Sequence, residues 1–206
     1  MSGDIQAKNL TVFIVALEQF RVFQDDLLKK LGGETLVQRA IEKSYSLGIT
    51  DDNIYVLTDS EQIQLVSERS GVQVISVGDG AQGVDGFHQR LFEATIAKHI
   101  GTSMLSLLLS PYAPLLKVET LKEAIKFFKE SDCEVLKSSS SESRNLFIRG
   151  EKILRNAIIN ETTETHQIES SAFTLLKAGI RNKKSDDSVS VLPWDIGEDA
   201  LEVRSM

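Results

Sequence analysis

Three cations, Arg21, Lys29 and Lys30, stand just after the first strongly apolar run of the chain. At the junction of a buried strand and its following loop, such groups could neutralise a polyphosphate. A phosphate seat also wants glycines there, because a backbone without side chains lets N–H groups close on oxygen anions. From Leu17 to Leu28 there is no glycine; the loop carries Phe20, Val22 and Phe23, three acids (Glu18, Asp25, Asp26) and one cation, Arg21. Arg21, Lys29 and Lys30 can form a residual anion site, and Lys29 and Lys30 equally suit solvated charges beside a helix start. Asp59 suits a ribose or metal contact, and a plain helix cap as well. Asp195 suits a hard cation, although a lone carboxylate holds one poorly without substrate phosphates. Its neighbours Glu198 and Asp199 also suit a helix N-terminus. His88, His99 and His166 have no metal-ligand spacing with one another or with Cys133, and no nucleophile–base pair is visible.

The elements that must position these groups follow from periodicity. Val12 to Val15 is a short β-branched run, expected as a strand buried on both faces. Thr35 with Gln38 forms a capping box, Leu36, Val37, Ala40 and Ile41 supply an inward stripe, and Gly48 offers the helix stop. Ile54 to Leu57 is a second strand, closed by Thr58 and Asp59, with Asp59 and Gln62 reading as an N-cap pair for the next helix. Val72 to Val77 is a third strand, Gly78 to Gly83 a loop and Val84 to Ile100 a helix. Met104 to Leu109 is a fourth strand, ended by Ser110-Pro111-Tyr112-Ala113-Pro114-Leu115, since neither proline continues a ladder. Lys117 to Lys129 is helical, with Leu121, Ala124, Ile125 and Phe128 on one face. This alternation predicts an α/β fold with a mostly parallel sheet.

The rhythm then changes. Cys133 to Lys137 reads as a strand, Ser138 to Ser143 as a serine-rich loop, and Leu146 to Leu154 as a hairpin around Gly150. Ile168 to Lys177 and Ser188 to Leu192 read as strands, and Ile196 to Val203 as a short closing helix. The segment 138–167 is expected to be an excursion from the sheet, of the kind that carries a dimer contact or a lid.

At 206 residues, 41% hydrophobic and 26% charged, the chain suits one globular domain, 1–206. A net charge of −7 argues against a general nucleic-acid binder. The single Cys133 excludes an internal disulfide and reads as a small buried residue at a strand start. With no secretory signal at the start and no run long enough to span a bilayer, the cytoplasm is the expected compartment, and no membrane contact is expected.

In order and spacing, five places make the chain resemble the acylneuraminate cytidylyltransferases (the CMP-sialic acid synthetase type), within the GT-A-like nucleotidyltransferases. Leu31-Gly32-Gly33-Glu34-Thr35-Leu36 looks like the family's entry to its first helix. Ile54 to Ser60, with Thr58-Asp59, looks like its V-x-T-D strand end. Ser110 to Leu115 is similar to its Q-x-T-S-P-L turn, keeping Pro111, Pro114 and Leu115. Ile168 to Phe173 resembles its N-G-A-x-Y strand, and Trp194 to Leu201 its closing D-I-D-x-P-E-D-L. The likeness spans about the whole chain, through motifs that are each individually weak.

The family's first loop runs roughly A-R-x-G-S-K-x-x-P-G-K-N and binds the nucleotide triphosphate. Its length is kept here from Ala16 to Leu36, but its first arginine falls at Leu17 and its serine at Phe20. Its proline and glycine fall at Gln24 and Asp25, and its second lysine at Asp26. Only its first lysine keeps a charge, as Arg21. At the later turn its glutamine is Ser110, and its threonine and serine are Tyr112 and Ala113. Of its metal-holding closing acids only Asp195 has a clear counterpart. Exchanging a lysine for Asp26 turns attraction into repulsion, a term of about 3 kcal/mol at roughly 5 Å and an effective dielectric near 20.

The resemblance implies a three-layer α/β/α sandwich, nucleotide-diphospho-sugar transferase-like, with a small β-hairpin excursion. It implies transfer of CMP from CTP to an acidic sugar, with pyrophosphate released and magnesium as cofactor; the nucleotide partner is CTP or another nucleotide. Arg21 would be the catalytic, charge-neutralising residue. Arg21, Lys29, Asp59, Ser110 and Tyr112 would bind the nucleotide, and Asp195 the metal. Tyr112 can either fill the space of the family's nucleobase or stack on a ligand. A homodimer is the expected assembly. The altered loop implies the alternative, a catalytically silent relative that binds a partner or another ligand on the same scaffold.

Overall fold

The computed structural model describes residues 9–17, 25–76, 104–142, 147–148, 151–152, 166–178 and 189–200. Its first unit is β1 (Leu10–Val15), followed by a short 3-10 turn (Asp26–Leu28), a small antiparallel pair, β2 (Lys30–Leu31) and β3 (Glu34–Thr35), and helix α1 (Leu36–Ser46). The capping box at α1 is present as expected: Gln38 N–H donates to Thr35 Oγ1 (3.2 Å) and Thr35 N–H to Gln38 Oε1 (3.0 Å). Gly48 takes φ +79 just after the helix, the left-handed stop that favours glycine.

Strand β4 (Ile54–Thr58), helix α2 (Glu61–Arg69) and strand β5 (Gln73–Ser76) follow, then β6 (Leu105–Leu109) and helix α3 (Val118–Glu130). The N-cap of α2 is Ser60, one residue later than the expected Asp59, and its side chain makes no cap bond; Ser60 N–H instead donates to Thr58 Oγ1 (3.1 Å). The expected loop at Gly78–Gly83 and helix at Val84–Ile100 lie outside the described residues.

The sheet has seven strands in the order β11-β7-β10-β6-β1-β4-β5, where β7 is Val135–Glu142, β10 His166–Lys177 and β11 Val191–Asp195. β10 alone runs against the rest. Alternate residues of the central strands, Val12 and Ile14, Ile54 and Val56, Leu105 and Leu107, form one core with α1, Ile63 of α2, and Leu121, Ala124, Ile125 and Phe128 of α3. The opposite face is covered too, since Phe13 and Leu57 are 0% exposed.

Three expectations about the second half are corrected. The serine run is strand rather than loop, because β7 continues through Ser138 to Glu142 opposite β10. A register break in β10 between Glu169 and Thr174 leaves backbone groups to satisfy, and Ser138 meets them. Its Oγ accepts from Phe173 N–H (3.0 Å) and lies within donating distance of the carbonyls of Phe173 (2.9 Å) and Ser170 (3.0 Å). Ser138–Glu142 and His166–Gln167 therefore belong to paired strands of the sheet. Beyond them the expected hairpin is present as β8 (Phe147–Ile148) against β9 (Glu151–Lys152). The last strand lies at Val191–Asp195, a little later than Ser188–Leu192, because Leu192 and Trp194 are in phase to lie on the α3 side, where Trp194 packs on Phe127 (ring centroids 4.9 Å). The closing helix is a 3-10 turn, Gly197–Ala200, and residues 201–206 lie outside the described ones.

Strand β11 is a sheet edge that carries a proline. Ile196 N–H reaches Ser139 O and Ser190 O receives N–H groups of Glu134 and Val135, so the even-numbered residues point their backbone groups at β7. Pro193 falls on the outward side, where its missing N–H costs no ladder bond and blunts the edge against further strand pairing.

Candidate functional site at the carboxyl edge of the sheet

Parallel strands end on one side of a sheet, and ligands of open α/β folds bind there. On that side lie Ala16 and Leu17 after β1, Asp59 after β4, Ser110 after β6, the Ser138–Ser140 part of β7, and Asp195 at the end of β11. Ser110, Tyr112 and Asp59 are thus brought to one edge, with Lys29 exposed on the segment leading into β2. Arg21 lies outside the described residues.

Ser110 is spent on the turn. Its N–H donates to Ala172 O (3.0 Å), its Oγ accepts from Tyr112 N–H (3.3 Å), and its carbonyl accepts from Ala113 N–H (3.4 Å). That turn aims the Tyr112 side chain into the protein. The ring is buried among core residues, and its hydroxyl donates to Asp26 Oδ1 at 3.0 Å. Asp26 is itself only 2% exposed. Burial first, then the charge and hydrogen bond of Asp26, and then the charge of Asp59 raise the Tyr112 phenol above its ordinary range. One buried phenol and two carboxylates therefore share this part of the edge. Of the two roles open for Tyr112, filling space fits its burial, and stacking on a ligand does not.

The backbone before Asp26 is informative. Asp25, where the resembled loop has glycine, takes φ 56, the left-handed region that favours glycine. The turn thus has a glycine-like conformation at Asp25 and is followed by a second acid, Asp26.

Asp195 is exposed, and its Oδ1 accepts from Gly197 N–H (2.9 Å). Magnesium wants several oxygens in near-octahedral array. Among the described residues no three His, Cys, Asp or Glu converge for a metal, so Asp195 offers one carboxylate and no complete seat.

Two residues at the site carry roles that sequence reasoning missed. Asp199 is buried and receives Thr120 Oγ1 (2.5 Å), Lys117 N–H (3.3 Å) and Lys117 Nζ (3.0 Å). It supplies from a distance the cap that Lys117, at the N-cap of α3, cannot make with its own side chain. Burial pushes its carboxyl up, but the hydrogen bonds from Thr120 and Lys117 outweigh that and hold it below its ordinary value. Lys43 reaches from α1 to the same turn, donating to Ala113 O (2.7 Å) and Pro114 O (2.9 Å). Burial foremost, with Arg39 beside it and Asp199 opposing, pushes its amine down to about 8. The sequence signal for Lys43 was slight: a cation four residues after Arg39 on one helix face.

No family model matches the chain, and no curated protein matches it. Solved structures do. A CMP:2-keto-3-deoxy-manno-octonic acid synthetase complexed with CTP superposes with a TM-score of 0.70 at 9% identity, covering 96% of this chain and 93% of that one. The bifunctional IspDF of Campylobacter jejuni gives 0.67 at 10% identity, covering 96% of this chain, which spans 52% of that larger protein. The 4-diphosphocytidyl-2C-methyl-D-erythritol synthase of Anaerococcus prevotii gives 0.63 at 13% identity, covering 100% and 94%. The chain shares its fold with these solved structures.

Proposed function

We propose that this chain is a catalytically silent protein of the cytidylyltransferase fold, a binding or interaction module rather than a transferase. The observation that carries this reading is the buried Tyr112–Asp26 hydrogen bond. The single donor of the phenol is directed at an internal carboxylate, and the ring fills the edge where a nucleotide of the resembled family would enter. A carboxylate at Asp26 adds a repulsion of about 3 kcal/mol per phosphate charge held roughly 5 Å away. The stretch Leu17 to Leu28 has no glycine, the residue that would let backbone N–H groups close on the phosphates and offset it.

A specific observation favours a second reading, an active cytidylyltransferase: the likeness to a CTP-complexed synthetase extends over 96% of the chain. On this reading a sugar hydroxyl attacks the α-phosphate of CTP, CMP passes to the acidic sugar and pyrophosphate leaves, with Arg21 and Lys29 neutralising phosphate charge and Asp59, Ser110 and Tyr112 lining the nucleotide. Asp195 would be the residue to hold magnesium, which would help neutralise the phosphate charge.

Thermal unfolding with and without millimolar CTP and magnesium separates the readings. A live site held at 100 times its dissociation constant gains about 2.7 kcal/mol, which for a domain of this size raises Tm by roughly 5 °C or more. The silent reading expects no shift. A clear rise that disappears on Asp195→Asn substitution would show a live nucleotide and metal site and favour the transferase reading instead.

A further inference from the structure

Among the described residues, one buried side-chain hydroxyl on the sheet is left without a partner. Ser139 is 2% exposed, and its Oγ makes no hydrogen bond. Its neighbour Ser138 points to the other face and is fully used in closing the β10 irregularity. Buried polar atoms are almost always paired, by protein or by a bound oxygen, and an orphan at this depth calls for an occupant.

The surroundings of Ser139 say what that occupant is. Asp195 is its register partner on β11, so the two residues lie side by side on one face. Adjacent strands are roughly 4.8 Å apart. No direct bond joins the hydroxyl to the carboxylate, and one oxygen placed about 2.8 Å from each would bridge them. Asp195 Oδ1 takes the Gly197 N–H, which fixes the carboxylate, and a carboxylate has acceptor capacity for further donors. Ser139 is buried and its register partner Asp195 is exposed, so the carboxylate is the solvent-facing member of the pair.

We infer that Ser139 and Asp195 bracket a seat for a single hydroxyl oxygen, supplied by a water or by one hydroxyl of a bound polyol. The seat does not depend on whether the protein is a transferase or a silent relative.

The test is a crystal structure of the wild-type protein, grown without polyols and then soaked with N-acetylneuraminate, beside urea unfolding of Ser139→Ala. Oxygen-sized density within hydrogen-bond reach of Ser139 Oγ in the unsoaked crystal identifies water. Density there only after the soak identifies the hydroxyl of the polyol. Empty density in both crystals overturns the inference. Where water holds the seat, Ser139→Ala is expected to raise the unfolding constant about fivefold, because the bridged oxygen loses an anchor. A variant as stable as the wild type or more so would show that water does not hold it and would leave the soaked crystal as the deciding arm.

Discussion

Tyr112 and Asp26 lie 86 positions apart in the chain and meet as donor and acceptor in a buried contact. Tyr112→Phe keeps the ring and leaves a buried carboxylate oxygen without its phenol. The expected cost is about 1–3 kcal/mol, read as a lower urea midpoint with an unchanged slope. Lys43 gives a pH-dependent signal. Its amine sits near 8 in the folded chain against an ordinary 10.5, so between those values the unfolded chain binds more protons. Stability therefore rises with pH over that window and is level below it, where Lys43 is charged in both states. Urea titrations at pH 7.5 and pH 10 are expected to show wild type gaining on Lys43→Met at the higher pH. Equal differences at the two pH values would contradict the assignment.

Helix α3 shows how an element depends on a distant residue. It begins at Val118 after a lysine, so its first N–H groups have no local side-chain cap, and Asp199 of the closing turn supplies one. Asp199→Asn is expected to lower stability by about 1–3 kcal/mol. Little of that comes from the ion pair, since the Lys117 side chain is 66% exposed and its charge is screened. The Asp199 carboxyl is held below its ordinary value of 3.8, so its contribution is complete above that pH and is lost as the pH falls through the lower folded value. Acid titration followed by circular dichroism is expected to show wild type and Asp199→Asn converging in stability at the acid end. Strand β7 makes a related point: a serine run reads as loop by composition, yet Ser138 is fixed in the sheet by a fault in the opposite strand.

For the whole molecule, the β7–β10 pairing continues past the neighbours of both strands. Among the described residues, β11 accompanies β7 as far as Ser139 and β6 accompanies β10 from Phe173, while Ser140–Glu142 still pair with His166–Ile168. This two-stranded extension leads to the β8–β9 hairpin, and we propose that it carries a homodimer contact. Sedimentation at micromolar concentration is expected to give a dimer, and a monomer there would remove the proposal. Among the described residues no helix is long and apolar enough to cross a membrane.

Much of the fold was legible because local patterns and tertiary packing agree. The run Val12–Val15, the Thr35–Gln38 box and the Leu121/Ala124/Ile125/Phe128 stripe each report a short-range physical preference, and each forms as read. The candidate site was legible only as a position, the carboxyl edge, together with a first loop that has no glycine and a single cation. What Tyr112 does there was open, because a tyrosine beside a strand end can face a ligand or the core. The choice rests on Asp26, whose distance from Tyr112 along the chain leaves no periodicity to read. The same holds for Asp199 on Thr120, Lys43 on the Ala113 carbonyl and Ser138 in the β10 irregularity. The sequence by itself determined the elements and their order, because those follow from contacts a few residues long. Only the tertiary structure decided which buried polar groups satisfy one another, because hydrogen-bond partners are set by distance in space.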